Sequence, residues 1–324
     1  MSNNPLHQAQ QIAVSVASSI RAAIVGILDD PMSGAAAGVA SSGDTTFSMD
    51  IVAEKALEEA IKALPCPVVS YSEDAGLAPS GSDPKWLLIV DPIDGTRPAA
   101  VGLNACAVSV AVAKITDSPK ISDVVAGAVY ELRRDMLYVA QKEGGAYLIN
   151  KGQHRDLTPR PPADFCELRW TLETVARPAL ANFTAASFLI DETSLRGGLF
   201  ALSSSAFSLC QLAAGKFSGM VDLSGRLLRD TDPSHEYARV VGHGRVMGMW
   251  AYDIAAAMLV AAESGCTITD AWGESLDDLP LTRTEPGDMA SCIAAASAEH
   301  HKQMLDLINR GFSMVKPGQD VSFL

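Results

Sequence analysis

Trp86-Leu-Leu-Ile-Val-Asp-Pro-Ile-Asp-Gly-Thr96 is the stretch from which the rest of the chain can be read. Residues 86–90 form a continuous apolar run, the pattern of a strand buried on both faces. The run delivers two carboxylates, Asp91 and Asp94, to one place. Pro92 fixes the backbone between them, and Gly95 permits a sharp bend immediately afterwards. Two aspartates on a tight turn repel each other unless something positive lies between them, and a hard divalent cation taking oxygen ligands is the simplest candidate. The Ile93 carbonyl can supply a further oxygen. Past the bend, the N–H groups of Gly95 and Thr96 face the same space, and a helix starting there adds partial positive charge suited to phosphate. The plain alternative is two ordinary turn pairs, Asp-Pro and Asp-Gly, after a buried strand.

Asp91-Pro-Ile-Asp-Gly-Thr96 resembles the signature of the inositol monophosphatase family, magnesium-dependent and lithium-sensitive phosphomonoesterases that include a class of fructose-1,6-bisphosphatases. The weight of six residues depends on whether the remaining chain supplies the partners that this chemistry needs.

At 324 residues, the chain is longer than one compact core usually needs, so two domains or one large layered unit is expected. A hydrophobic content of 48% with 19% charged residues describes a well-buried globular protein. The formal net charge of -13 argues against a nucleic-acid or anionic-membrane surface, and an anionic substrate would need local cations. Six scattered cysteines with no C-x-x-C pair read as small core residues of a reducing compartment. The polar start Met1-Ser-Asn-Asn-Pro-Leu-His lacks a signal-peptide pattern, and no apolar stretch reaches membrane-span length, so a cytoplasmic protein is predicted.

Residues 5–28 place Ile12, Val16, Ile20, Ile24 and Leu28 on one face of a long helix. Residues 29–43, with Pro31, Gly34, Gly38 and Gly43, read as a mobile loop, either a functional one or a plain linker. Asp44-Thr-Thr-Phe-Ser-Met-Asp50 leads into a second amphipathic helix over residues 51–64. A strand at 67–71 ends in Ser72-Glu73-Asp74-Ala-Gly76, an acidic strand end like that at Asp91, so Glu73 is a third candidate anionic ligand. A strand at 105–113 and a hairpin of 124–130 with 136–140 follow. Turns at 142–145 and 150–153 come next, and the proline-rich run Leu157-Thr-Pro-Arg-Pro-Pro-Ala163 is the best domain boundary.

The second half alternates strands at 168–172, 197–202 and 220–223 with helices over about 177–189 and 203–215, an α/β pattern. Ser203, Ser204 and Ser205 can cap the second of these helices and nothing more. Residues 224–249 are polar and strand-poor, with Arg226, Arg229, Arg239 and Arg245, and read either as a cationic lid or as a surface insertion. Trp250-Ala-Tyr-Asp-Ile-Ala-Ala-Ala257 opens an apolar helix whose aspartate, Asp253, must be capped, paired or coordinated. A strand at 266–269, an apolar run at 290–296 and a helix over about 299–309 close the chain.

The resemblance extends through four separated segments, from Asp44 to Gly273. It implies an α+β half (1–156) carrying most metal ligands and an α/β half (157–324) completing the site, combined as a layered α-β-α-β-α sandwich. It implies that Glu73, Asp91, Asp94, Asp253 and the Ile93 carbonyl hold Mg2+. By the same resemblance Thr96 with Asp50 deprotonates the attacking water, with Glu73 among the catalytic residues; Asp50 as a plain helix cap is the alternative. Gly95 and Thr96 would bind phosphate, while Ser204, Ser205 and Asp222 would contact substrate. In the family a tryptophan-aspartate pair starts the Asp253 helix; here Tyr252 stands where tryptophan is expected. The implied substrate is a small phosphate monoester, with inositol monophosphate or a related sugar or polyol phosphate first. Fructose 1,6-bisphosphate, histidinol phosphate and adenosine 3′,5′-bisphosphate are alternatives, and Arg97-Pro98 after the motif departs from many inositol phosphatases. A homodimer is expected, with no nucleic-acid or membrane partner. Two other classes stay open: a metal-binding family member without turnover, and a sugar-binding protein with a structural cation.

Overall fold

The computed structural model describes residues 4–30, 32–39, 45–73 and 75–316. Helix α1 (Pro5–Ile24), the paired strands β1 (Ala36–Val39) and β2 (Thr45–Phe47), and helix α2 (Ser48–Lys62) come first. Strands β3 (Val68–Ser72), β4 (Gly76–Pro79) and β5 (Trp86–Asp94) follow, then the short helix α3 (Thr96–Ala100). Next come β6 (Ala107–Ala113), β7 (Val124–Glu131), β8 (Met136–Gln141), β9 (Gly145–Asn150) and β10 (Gln153–Asp156). The second half contributes β11 (Arg169–Leu172), α4 (Ala179–Thr193), β12 (Gly198–Phe200), α5 (Ser205–Ala213), β13 (Gly219–Asp222), α6 (Ser224–Thr231) and α7 (Glu236–Val241). It closes with α8 (Ala251–Ser264), β14 (Thr267–Thr269), β15 (Cys292–Ala295) and α9 (Ala298–Phe312).

Eight strands form one sheet in the order β10-β9-β8-β7-β6-β5-β3-β4, antiparallel except where β3 runs parallel to β5. Five form the other, in the order β12-β11-β13-β15-β14, with β11 parallel to both its neighbours. Strand periodicity sends alternate residues to opposite faces and so fixes the layers. From β5, Leu88 and Val90 pack into a core with α1 and α2, whereas Leu87 and Ile89 join α5 and α8. From β13, Met220 faces α5 and α8 while Val221 faces α4 and α9. The order of layers is therefore helices α1 and α2, the large sheet, helices α5 and α8, the small sheet, helices α4 and α9. This is the layered sandwich that the motif's resemblance implied. All nine residues of β5 are buried, because helices cover both of its faces.

Several sequence readings change in the structure. The loop expected at 29–43 contains β1, which pairs with β2; residues 31 and 40–43 of that reading lie outside the described residues, as do Asp44 and Asp74. The turns at 142–145 and 150–153 join β8, β9 and β10 in a meander whose last strand is exposed throughout. Residues 224–249 contain α6 and α7, and one of their cations, Arg226, belongs to the core rather than to a lid. Arg226 is 9% exposed, donates to the Ala271 carbonyl and Asn309 Oδ1 at 2.6 Å, and lies 4.0 Å from the Phe312 ring centroid. Arg229 stacks on Trp272 at 4.2 Å. Among the described residues no helix is long and apolar enough to cross a membrane.

Helix α8 approaches the large sheet so closely that a Cβ on Gly127 of β7 would stand 2.8 Å from the Ala256 carbonyl oxygen. Gly127→Ala is therefore predicted to push α8 off the sheet and lower stability by about 1–3 kcal/mol. The midpoint of urea unfolding, compared with wild type, measures it.

Candidate active site

An unbroken strand would point Asp91 and Asp94, three residues apart, to opposite faces. The register of β5 against β6 shows how this is avoided: Asp91 pairs with Ser109 and Asp94 with Ala107, three steps against two. The extra residue is a bulge, and it returns both carboxylates to the same side. Asp91 Oδ1 accepts the Ile93 N–H at 3.0 Å, which stabilises the bent segment. Gly95 then turns with φ +85, and a Cβ there would meet the Ala105 carbonyl oxygen at 2.4 Å and Ser204 Cβ at 2.8 Å. Only glycine fits this bend.

Three further elements bring groups to the same point. Strand β3 runs parallel to β5 with Ser72 opposite Val90, so Glu73 leaves its strand level with Asp91. Helix α8 begins at the site, and Asp253 in its first turn accepts the Trp250 N–H at 2.6 Å. Helix α5 aims its N-terminus at Asp94, whose oxygens accept the Ser204 hydroxyl at 2.5 Å and the N–H groups of Ser205, Ala206 and Phe207 at 3.2, 2.8 and 3.2 Å. Ser204 and Ser205 line the cavity, and both also hold Asp94. One ligand oxygen from each of Asp91, Asp94 and Asp253 lies within 4.8 Å of the others.

The cavity is lined by Glu73, Asp91, Ile93, Asp94, Gly95, Thr96 and Asp253, together with the two serines, so most of the nominated residues meet there. Asp50 stands beside it: its Oδ2 accepts the Phe47 N–H at 2.7 Å and its Oδ1 lies 3.5 Å from the Thr96 hydroxyl. Asp50 thus caps α2 from inside the first turn while also facing Thr96. The Thr96 hydroxyl lies closer to the Ile93 carbonyl, at 3.0 Å. Asp222 is set back from the cavity, fully buried, with its oxygens engaged by Arg177 and Ser224. Tyr252 fills its expected place in the core, 6.4 Å from the Tyr71 ring.

Glu173 and Arg177 also line the cavity, and sequence reasoning passed over both. A signal existed: Glu173 directly follows the strand at 168–172, as Glu73 follows its strand, and ligands of α/β folds gather at the carboxyl ends of strands.

Burial pushes Asp91 well above the usual carboxylate range, and the charges of Glu73, Asp94 and Asp253 push it further. Asp94 is raised to about 6 because burial outweighs its hydrogen bonds from α5. Burial likewise raises Asp253 well above the ordinary value. The cluster is thus short of positive charge, and its donors are all oxygens. That combination fits a hard divalent cation, with Asp91, Asp94 and Asp253 as its ligands.

Fold and site together define an enzyme of the phosphoric monoester hydrolase class. The chain belongs to the inositol monophosphatase family, which it matches over residues 5–311. It is 24% identical over 314 residues to the fructose-1,6-bisphosphatase/inositol-1-monophosphatase of Methanothermobacter thermautotrophicus, covering 95% of this chain and 99% of that protein. It is 26% identical over 301 residues to the fructose-1,6-bisphosphatase of Pyrococcus furiosus, covering 92% and 97% of the two chains. The crystal structure of the extragenic suppressor protein suhB from Bartonella henselae superposes with a TM-score of 0.69 at 20% identity, covering 95% of this chain and all of that one.

The raised carboxyls give a pH dependence of definite sign. Above about pH 4 an unfolded chain loses its aspartate protons, whereas the metal-free folded protein keeps them on Asp94 until about 6, and Asp91 and Asp253 are likewise held well above the ordinary carboxylate range. The folded state binds more protons throughout this window, so this contribution to stability falls as pH rises. A cation that displaces those protons is expected to raise Tm more at about pH 8 than at about pH 5, as read by thermal melts with and without the ion.

Proposed function

We propose that the chain hydrolyses a small phosphate monoester of a sugar or polyol, with magnesium as the resident ion. The observation that carries this reading is the convergence of Asp91, Asp94 and Asp253 within 4.8 Å on a cavity that Thr96 also lines. Magnesium held by these three carboxylates, with Glu73 and the Ile93 carbonyl, would neutralise the phosphate and make a water molecule a better nucleophile.

The chain's own groups supply positioning and proton transfer. Thr96 directs its hydroxyl oxygen at the attacking water and takes up its proton as its own passes to Asp50, now 3.5 Å away. The Phe47 N–H holds Asp50 in place for this exchange, so capping and catalysis use different oxygens of one carboxylate. The Gly95 and Thr96 N–H groups, at the start of α3, receive the phosphate oxygens. Residues 1–156 thus carry most of the chemistry, and residues 157–324 complete the site through Ser204, Ser205 and Asp253.

Phosphate release from a monoester panel is expected to require magnesium and to be inhibited by lithium. Asp94→Asn is predicted to abolish turnover while the fold, judged by circular dichroism, survives. Thr96→Ala is predicted to lower kcat by about 10²–10⁴-fold with magnesium binding retained. A folded wild-type protein that binds magnesium yet releases phosphate from no ester would overturn the proposal and favour a non-catalytic metal-binding role.

A further inference from the structure

One wall of the cavity is built by the segment after β11, and none of the roles above uses it. Glu173 and Arg177 are 4% and 8% exposed. The guanidinium of Arg177 is fixed at two points, donating to the Val175 carbonyl at 2.6 Å and to Asp222 Oδ2. The other oxygen of Asp222 accepts the Ser224 N–H at 2.7 Å and the Ser224 hydroxyl. The carboxylate that the sequence nominated for a substrate hydroxyl is therefore committed within the protein. Two buried polar atoms on this wall have no partner: Oε1 of Glu173 and Nε of Arg177. Native interiors leave such atoms unpaired rarely, and a ligand that completes them is one of the few explanations. The Glu173 carboxyl also sits beside the Ser204 N–H, next to the hydroxyl that holds Asp94.

Resting on the phosphatase reading above, we propose that Glu173 reads the leaving group: its unpaired oxygen accepts a hydrogen bond from a hydroxyl of an uncharged polyol or sugar. Arg177 Nε donates to an oxygen on the same group, and Asp222 is a positioning residue that acts through Arg177. The same wall disfavours a second phosphate. Both terminal nitrogens of Arg177 are engaged, Asp222 neutralises its charge, and Glu173 adds none that is positive. A phosphate dianion placed against this wall would lose its water without gaining a counter-charge from it. The substrate class that fits is a monophosphate with a polyhydroxylated skeleton rather than a bisphosphate.

The test uses the magnesium-loaded enzyme with inositol 1-phosphate and its single-deoxy analogues, fructose 1-phosphate against fructose 1,6-bisphosphate, and p-nitrophenyl phosphate. One deoxy analogue is expected to lose at least about tenfold in kcat/KM, since a site built to bind a hydroxyl rejects the analogue lacking it. Fructose 1-phosphate is expected to exceed the bisphosphate by a similar factor. Glu173→Ala should bring the hydroxyl-to-deoxy ratio close to one, whereas Glu173→Gln, which keeps an acceptor oxygen, should retain most of it. Asp222→Asn should raise KM for the polyol ester more than it lowers kcat. An unchanged ratio in Glu173→Ala, or a preference for the bisphosphate, would overturn the assignment. If Glu173→Ala does not fold, equal wild-type kcat/KM for all deoxy analogues overturns it equally well. Turnover of p-nitrophenyl phosphate without discrimination sinks only the Glu173 assignment; no magnesium-dependent turnover of any ester sinks the phosphatase reading beneath it.

Discussion

Repulsion among Asp91, Asp94 and Asp253 is the constraint to which the rest of this structure answers. Two unit charges about 4 Å apart at an effective dielectric of about 20 repel by about 4 kcal/mol. A helix N-terminus offers at most about 2 kcal/mol to a carboxylate at its end. The starts of α5 and α8 both point at the cluster, and their N–H groups bind Asp94 and Asp253. They do not offset the burial of the cluster, and all three carboxyls remain raised. A compact divalent cation fits this acidic cluster, and the all-oxygen donor set favours a hard one.

The layered fold holds such a cluster together. Helices α5 and α8 form the middle layer, gripped by a sheet on either side, so their N-termini are fixed by the largest core of the molecule. The third carboxyl-bearing element, β5, is buried on both faces, and its bulge is held by β6. The site therefore rests on rigid elements, while the residues after β11 form a wall on which the chemistry of the leaving group can be read.

Much of this was legible in sequence because burial on both faces leaves a strong mark. The unbroken run at 86–90 cannot be an amphipathic element, and carboxylates at the ends of two neighbouring apolar strands converge by topology alone. What stayed hidden depended on partners distant in sequence. Arg177 and Asp222 are 45 residues apart, and nothing in either segment announces that they pair. Without that pairing Asp222 reads as free to meet substrate and Glu173 passes unnoticed. Arg226 misled for a similar reason: a cation in a polar segment suggests a lid, whereas its stacking on Phe312 depends on the final helix. The exposed strand β10, Gln-His-Arg-Asp, lacks the apolar alternation that would mark it.

Whether a cation relieves the repulsion among these carboxyls is decided by calorimetric titration of the metal-free protein with magnesium at about pH 5.5, in two buffers of different ionisation enthalpy. Binding is expected to release protons, because the ion replaces those held on the raised carboxyls, and the release is expected to shrink in Asp91→Asn. Magnesium binding with no proton release, or no binding by the folded protein, would contradict a cation-centred site.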